Sequence, residues 1–174
     1  MARTRRLWIP VLVGLLVGGA LGVGGGGAVA AEPRITTASI MIPAAAFIPD
    51  LDDCDYDNGG YSLEVTSGTC GFIAPLSFPV PVVNIKKITL YAYDNDDSSQ
   101  VCVKLYRARP ADASQDSTGG SLCTLDASAP QAPYKTAINP RRVNTASQGA
   151  YLWVRLYSPT VALYGVKVTY SYTP

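Results

Sequence analysis

Tyr151-Leu152-Trp153-Val154-Arg155-Leu156-Tyr157 alternates between two classes of side chain without a break. A period of two sends successive side chains to opposite faces of a strand. Leu152, Val154 and Leu156 are therefore expected to face a core, and Tyr151, Trp153 and Tyr157 to face the other way. The same period recurs outward from this stretch. Residues 162–172 set Val166, Val168 and Tyr170 against Lys167, Thr169 and Ser171, and Ser158-Pro159-Thr160 turns the chain before them. Residues 86–93 set Ile88, Leu90 and Ala92 against Lys87, Thr89 and Tyr91, and residues 101–107 set Val101, Val103 and Leu105 against Cys102, Lys104 and Tyr106. Between these two, residues 94–100 are predicted to be a hairpin turn with Asp94, Asp96 and Asp97 at its tip. Shorter strands are expected at 61–65 and 70–73 about Ser67-Gly68, and weaker ones at 122–125 and 134–138. Residues 50–60 read as an acidic loop, 75–81 as a Pro-rich connection, and 109–120 as a polar loop. There is no sustained helical period and no internal repeat. The fold class predicted is all-β: an antiparallel two-sheet β-sandwich, jelly-roll-like.

The N-terminus has a different pattern. Arg3, Arg5 and Arg6 precede an apolar run from Leu7 to Val23, and Ala28-Val29-Ala30 follows as a small-x-small site. This is the form of a signal peptide, residues 1–30, cleaved after Ala30. An uncut anchor is the competing reading, and Arg5-Arg6 also suits twin-arginine export. The remainder divides into a lead-in segment, 31–44, in which Ile35, Ile40 and Ile42 suggest an edge strand, and a β-sandwich domain, 45–174. The expected location is extracellular or in the cell envelope, with no membrane span left after cleavage.

Loss of the leader leaves 11 basic and 13 acidic residues, so the net charge moves from +1 to −2. Such a balance, with only Lys86-Lys87 and Arg141-Arg142 as basic doublets, argues against nucleic acid. The four cysteines, Cys54, Cys70, Cys102 and Cys123, are expected to form disulfides in an oxidising compartment. Three connectivities are possible. The sequence-local one, Cys54–Cys70 with Cys102–Cys123, is expected because each pair closes a loop of polar turn residues.

Three stretches carry a family resemblance: Ala45-Ala46-Phe47-Ile48-Pro49, Ile88-Thr89-Leu90-Tyr91-Ala92-Tyr93-Asp94, and Leu163-Tyr164-Gly165-Val166-Lys167-Val168-Thr169-Tyr170. Together they resemble a group of uncharacterised secreted bacterial β-sandwich proteins. That group often has Leu-Pro-x-Gly-Ala before the Tyr-Asp strand, where this chain has Phe78-Pro79-Val80-Pro81-Val82. The resemblance implies a fold and an address, and brings no activity with it.

The chain contains no His, which removes the Ser-His-Asp triad, the Cys-His pair and the usual zinc sites. Only Glu32 and Glu64 are glutamates, a poor supply for a two-carboxylate glycosidase. The expectation is a non-catalytic protein. Asp53, Asp55 and Asp57 with Glu64 fall at positions 1, 3, 5 and 12 of a calcium-loop pattern, although Asn58 stands where Gly is usual. Calcium is thus the candidate cofactor, and a solvated acidic turn is the alternative. Tyr91, Tyr93, Tyr151, Trp153 and Tyr157 would form an aromatic platform for sugar rings if their strands neighbour each other in one sheet. Ordinary cross-strand packing of aromatics is the alternative. The function expected is a glycan-binding module whose partner is polysaccharide or another surface protein. The competing expectation is a structural component of the envelope or matrix.

Overall fold

The computed structural model describes residues 33–50, 54–126 and 130–174. The segment read as a signal peptide lies outside these residues, as does Asp53. The strands, in chain order, are β1 (Thr36–Pro43), β2 (Ile48–Pro49), β3 (Asp55–Asn58), β4 (Leu63–Ser67), β5 (Cys70–Leu76), β6 (Val82–Asp94) and β7 (Val101–Arg109). They continue with β8 (Ser114–Ser117), β9 (Leu122–Cys123), β10 (Tyr134–Lys135), β11 (Arg142–Asn144), β12 (Gly149–Leu156) and β13 (Val161–Tyr172). No helix among the described residues is long and apolar enough to cross a membrane.

Two antiparallel sheets form a sandwich. The first has the order β10-β6-β13-β4-β3, with β1 also on β13 and β11 on β6. The second has the order β2-β5-β12-β7-β8, with β9 on β7. The residues assigned to the core by alternation are in it: Leu152, Val154 and Leu156 are buried from one sheet, and Leu90, Ala92, Val166 and Val168 from the other. Burying each such side chain contributes about 1.5–3 kcal/mol for the larger residues, which makes this shared interior the main source of stability.

Both expected disulfides are present, Cys54–Cys70 and Cys102–Cys123. Cys102–Cys123 joins the paired strands β7 and β9. Cys54–Cys70 ties the start of β3, in the first sheet, to β5, in the second.

Several sequence expectations are corrected. Residues 94–100 do not close a hairpin, because β6 lies in the first sheet and β7 in the second. The turn at Ser158-Pro159-Thr160 likewise carries the chain from β12 across to β13. A period of two reports which side chains share a face, not which strand lies alongside. The acidic segment 50–60 contains a strand, β3, and the polar segment 109–120 contains β8. Thr36–Pro43 pairs residue for residue with the last strand, from Tyr172 to Gly165. The edge strand expected in the lead-in 31–44 is thus present, as β1 on β13 of the first sheet.

Candidate functional site

The structure separates the five aromatics expected to share a platform. Tyr91 and Tyr93 are on β6 of the first sheet, Tyr151 and Trp153 on β12 of the second, and Tyr157 follows the end of β12. β12 is flanked by β5 and β7, and β6 by β13, so the two groups cannot meet. On the second sheet the rings serve their own surface. Tyr151 stacks on Tyr106 with centroids 5.2 Å apart, and its hydroxyl donates to the Gln115 side-chain oxygen. Burial raises the Tyr151 phenol pKa above its ordinary value, helped by Tyr106 and Asp50. The Trp153 indole N–H donates to Asp50 Oδ2 at 3.0 Å, and the Lys104 ammonium lies 5.7 Å from its ring centre. The indole covers Gly71, where a Cβ would stand 3.3 Å from Nε1. The Arg155 guanidinium lies 4.9 Å from the Tyr157 ring centre.

A different aromatic group forms on the first sheet. Ala162 on β13 pairs with Tyr93 on β6 and, on its other side, with Glu64 on β4. The three side chains make one row across three strands on the outward face, with the smallest in the middle. Ala162 is the floor of a cleft of about 330 Å³ lined also by Tyr61, Tyr164, Pro159, Thr160 and Val161.

Two local irregularities bring the outer tyrosines to this cleft. Leu163 pairs with Ala92 and Gly165 with Tyr91, so Tyr164 is an extra residue bulged out of β13. Bulges bend a strand and re-aim a side chain, and here the bulge turns Tyr164 outward between buried neighbours. Gly165 completes it, because a Cβ there would lie 2.6 Å from the Ile42 carbonyl oxygen of β1. Tyr61 stands at the tip of the β3–β4 hairpin, which closes through Gly59 N–H to the Ser62 carbonyl and Gly60 N–H to Asn58 Oδ1. Tyr61 is 79% exposed, Tyr93 37% and Tyr164 38%. Among the described residues, none of the three makes a ring–ring contact. Glu64 is exposed; its Oε1 accepts a hydrogen bond from the Ser62 hydroxyl at 2.9 Å.

The calcium-loop residues are arranged otherwise than their spacing suggests. Asp55 and Asp57 lie on β3, and Glu64 faces Asp57 across the ladder on β4. Asp55 accepts from the Ser67 hydroxyl at 3.2 Å. A hairpin spreads its carboxylates along a flat surface instead of wrapping them around a point, and no three acidic, Cys or His side chains among the described residues converge on a metal position. Asn58-Gly59 was the sequence signal for this hairpin.

Asp94 also departs from expectation. It is fully buried at the end of β6, where it accepts from the Thr124 hydroxyl and from the Asp96 N–H. Thr124 in turn accepts from the Val101 N–H at 3.0 Å. Asp94 thus links the first sheet to the start of β7 in the second. Beyond it, Asp96 accepts from Ser98 and from the Thr160 hydroxyl of the cleft. The Ser98 hydroxyl foremost, then the Ser98 amide and Thr160, hold the Asp96 pKa below its ordinary value.

No protein-family model and no curated protein matches this chain in sequence. Among solved structures, a xylan-binding module, CBM15, is similar with a TM-score of 0.47 and 10% identity over 77% of this chain and 97% of that one. A family two carbohydrate esterase from Cellvibrio japonicus scores 0.40 at 12% identity, over 78% of this chain and 34% of the esterase. The CBM22-1–GH10 portion of Clostridium thermocellum xylanase 10B, complexed with xylohexaose, scores 0.44 at 9% identity, over 76% of this chain and 28% of that one. The chain thus spans only about a third of the esterase and less of the xylanase portion. Likeness of this degree assigns neither a family nor a ligand to this chain.

Proposed function

We propose that this protein is an extracellular, non-catalytic glycan-binding module whose site is the Tyr61–Tyr93–Tyr164 cleft. The observation that carries this reading is the meeting of three exposed, unstacked tyrosine rings around a floor of one alanine, with the Glu64 carboxylate at the edge. Flat rings present apolar faces to the C–H side of a sugar, while phenol hydroxyls and a carboxylate bond its hydroxyl groups. Glu64 Oε2 is open to such a bond because the Ser62 hydroxyl takes only Oε1. Glu64 is the one carboxylate among the described residues lining the cleft, whereas glycosidases flank the scissile bond with two. The two disulfides and the leader-like N-terminus support an extracellular address. Isothermal titration against a polysaccharide panel tests the reading. Binding that Tyr93→Ala and Tyr61→Ala each weaken supports it, and a panel with no heat above dilution contradicts it.

A structural role is the second reading, and one observation favours it. β1 is an eight-residue edge strand with no charged residue and no bulge, and Met41 on it is 53% exposed. Uncharged, regular edges invite pairing with another chain. A concentration-dependent dimer in light scattering, abolished by Met41→Lys, supports that role; a monomer at all concentrations removes it.

A further inference from the structure

We infer that the cleft selects a cationic sugar, one carrying a free ammonium group, over neutral and acidic sugars. This rests on the glycan-binding reading above. Glu64 is the sole charged side chain among the residues lining the cleft. Its partner across the ladder is another carboxylate, Asp57. Behind the cleft wall, Asp96 holds the hydroxyl of the lining residue Thr160 at 2.8 Å. Negative charge therefore stands inside the cleft, beside it and behind it.

Among the described residues, the ion pairs join Arg107 and Arg109 to Asp112 and Asp116, and none involves Glu64, Asp57 or Asp96. Like charges placed directly opposite in a ladder repel, so Asp57 facing Glu64 is an arrangement that a bound cation relieves. The lining rings act in the same sense. A tyrosine face carries negative quadrupole density and attracts an ammonium group, and several rings around one point make a cage for it. Three tyrosines and a carboxylate, with no basic group among the lining residues, form a site whose charge complements an amine. A neutral sugar would gain the stacking but leave the carboxylates unrelieved. A uronic acid would add to the repulsion.

The test is titration of the leaderless chain with β-1,4-linked glucosamine oligomers, their N-acetylated counterparts of equal length, and galacturonate oligomers. The free-amine oligomer is expected to bind about tenfold tighter than the acetylated one, on the scale of a desolvated cation–π and charge contact. Galacturonate is expected not to bind. Glu64→Gln keeps the acceptor for Ser62 and removes the charge, and it should erase the tenfold preference between the free-amine and acetylated oligomers. Raised salt should do the same. Equal affinity for free and acetylated oligomers overturns the cationic preference and leaves glycan binding standing. Binding of phosphocholine in place of every oligomer overturns the sugar assignment, since the same cage then serves a headgroup. Silence in all arms removes both this inference and the reading beneath it.

Discussion

Ala162 determines what the cleft can hold. It sits between Tyr93 and Glu64 in one cross-strand row, and its methyl group is the floor on which a ligand would rest. Ala162→Leu would fill that space, so it should abolish binding while the fold survives, because the added atoms point outward from the sheet. Circular dichroism and titration on the same sample separate the two effects. Tyr61→Ala belongs to the same scale. Its ring is the most exposed of the three, so the change should cost less than about 0.5 kcal/mol of stability and weaken binding. Leu152→Ala is the contrasting case. Leu152 is fully buried, and the cavity should cost about 2–5 kcal/mol in chemical denaturation without altering the affinity of the molecules that remain folded. Asp94 differs from both, since its carboxylate holds Thr124 across the sandwich. Asp94→Ala should destabilise by about 1–3 kcal/mol by leaving a buried hydroxyl short of a partner.

Among elements, the β3–β4 hairpin contributes most to the proposed site. It presents Tyr61 at its tip and Glu64 on its second strand, and Cys54–Cys70 fastens its first strand to the opposite sheet. Replacing Cys54 and Cys70 by Ser should therefore lower both stability, by roughly 2–4 kcal/mol, and affinity. Replacing Cys102 and Cys123 by Ser should lower stability by a similar amount and leave affinity alone, because that bridge lies within the second sheet. Melting curves and titrations of the two double variants give the comparison. The two strongest strands, β12 and β6, were legible in the sequence because alternation is a local property. The hairpin was less so: Asp55, Asp57 and Glu64 have a spacing that fits a metal loop as well as a ladder, and spacing alone does not decide between them. Strand pairing was hidden. Nothing in residues 86–93 or 151–157 indicates that they lie in different sheets, and that single fact divides the expected platform. The bulge at Tyr164 was also unreadable, since it appears only when Ala92 and Tyr91 on β6 are found opposite Leu163 and Gly165.

For the molecule as a whole, charge sets the acid limit. Asp116 is held below its ordinary pKa chiefly by the hydrogen bond from Arg107, with Arg109 adding to it, and Asp112 chiefly by the Ser114 hydroxyl. With Asp96, these are carboxylates whose pKa is lower folded than unfolded. Their contribution is complete above the unfolded value of about 4 and is lost as the pH falls through the lower folded values. The melting temperature should hold steady from neutral pH down to about pH 4 and drop below it. With no His in the chain, no step is expected near pH 6–7. The sandwich itself supplies a rigid frame with two outer faces. One is occupied by its own Tyr106–Tyr151 stack and the Trp153–Asp50 bond; the other leaves three tyrosines open around Ala162. The most direct measurement is the chemical-shift map of an isotopically labelled sample titrated with glucosamine oligomer. Perturbations are expected to be confined to Tyr61, Glu64, Tyr93 and residues 159–164, with Trp153 unmoved. Perturbations centred on Trp153 and Tyr151, or none on either sheet, would contradict the proposed site.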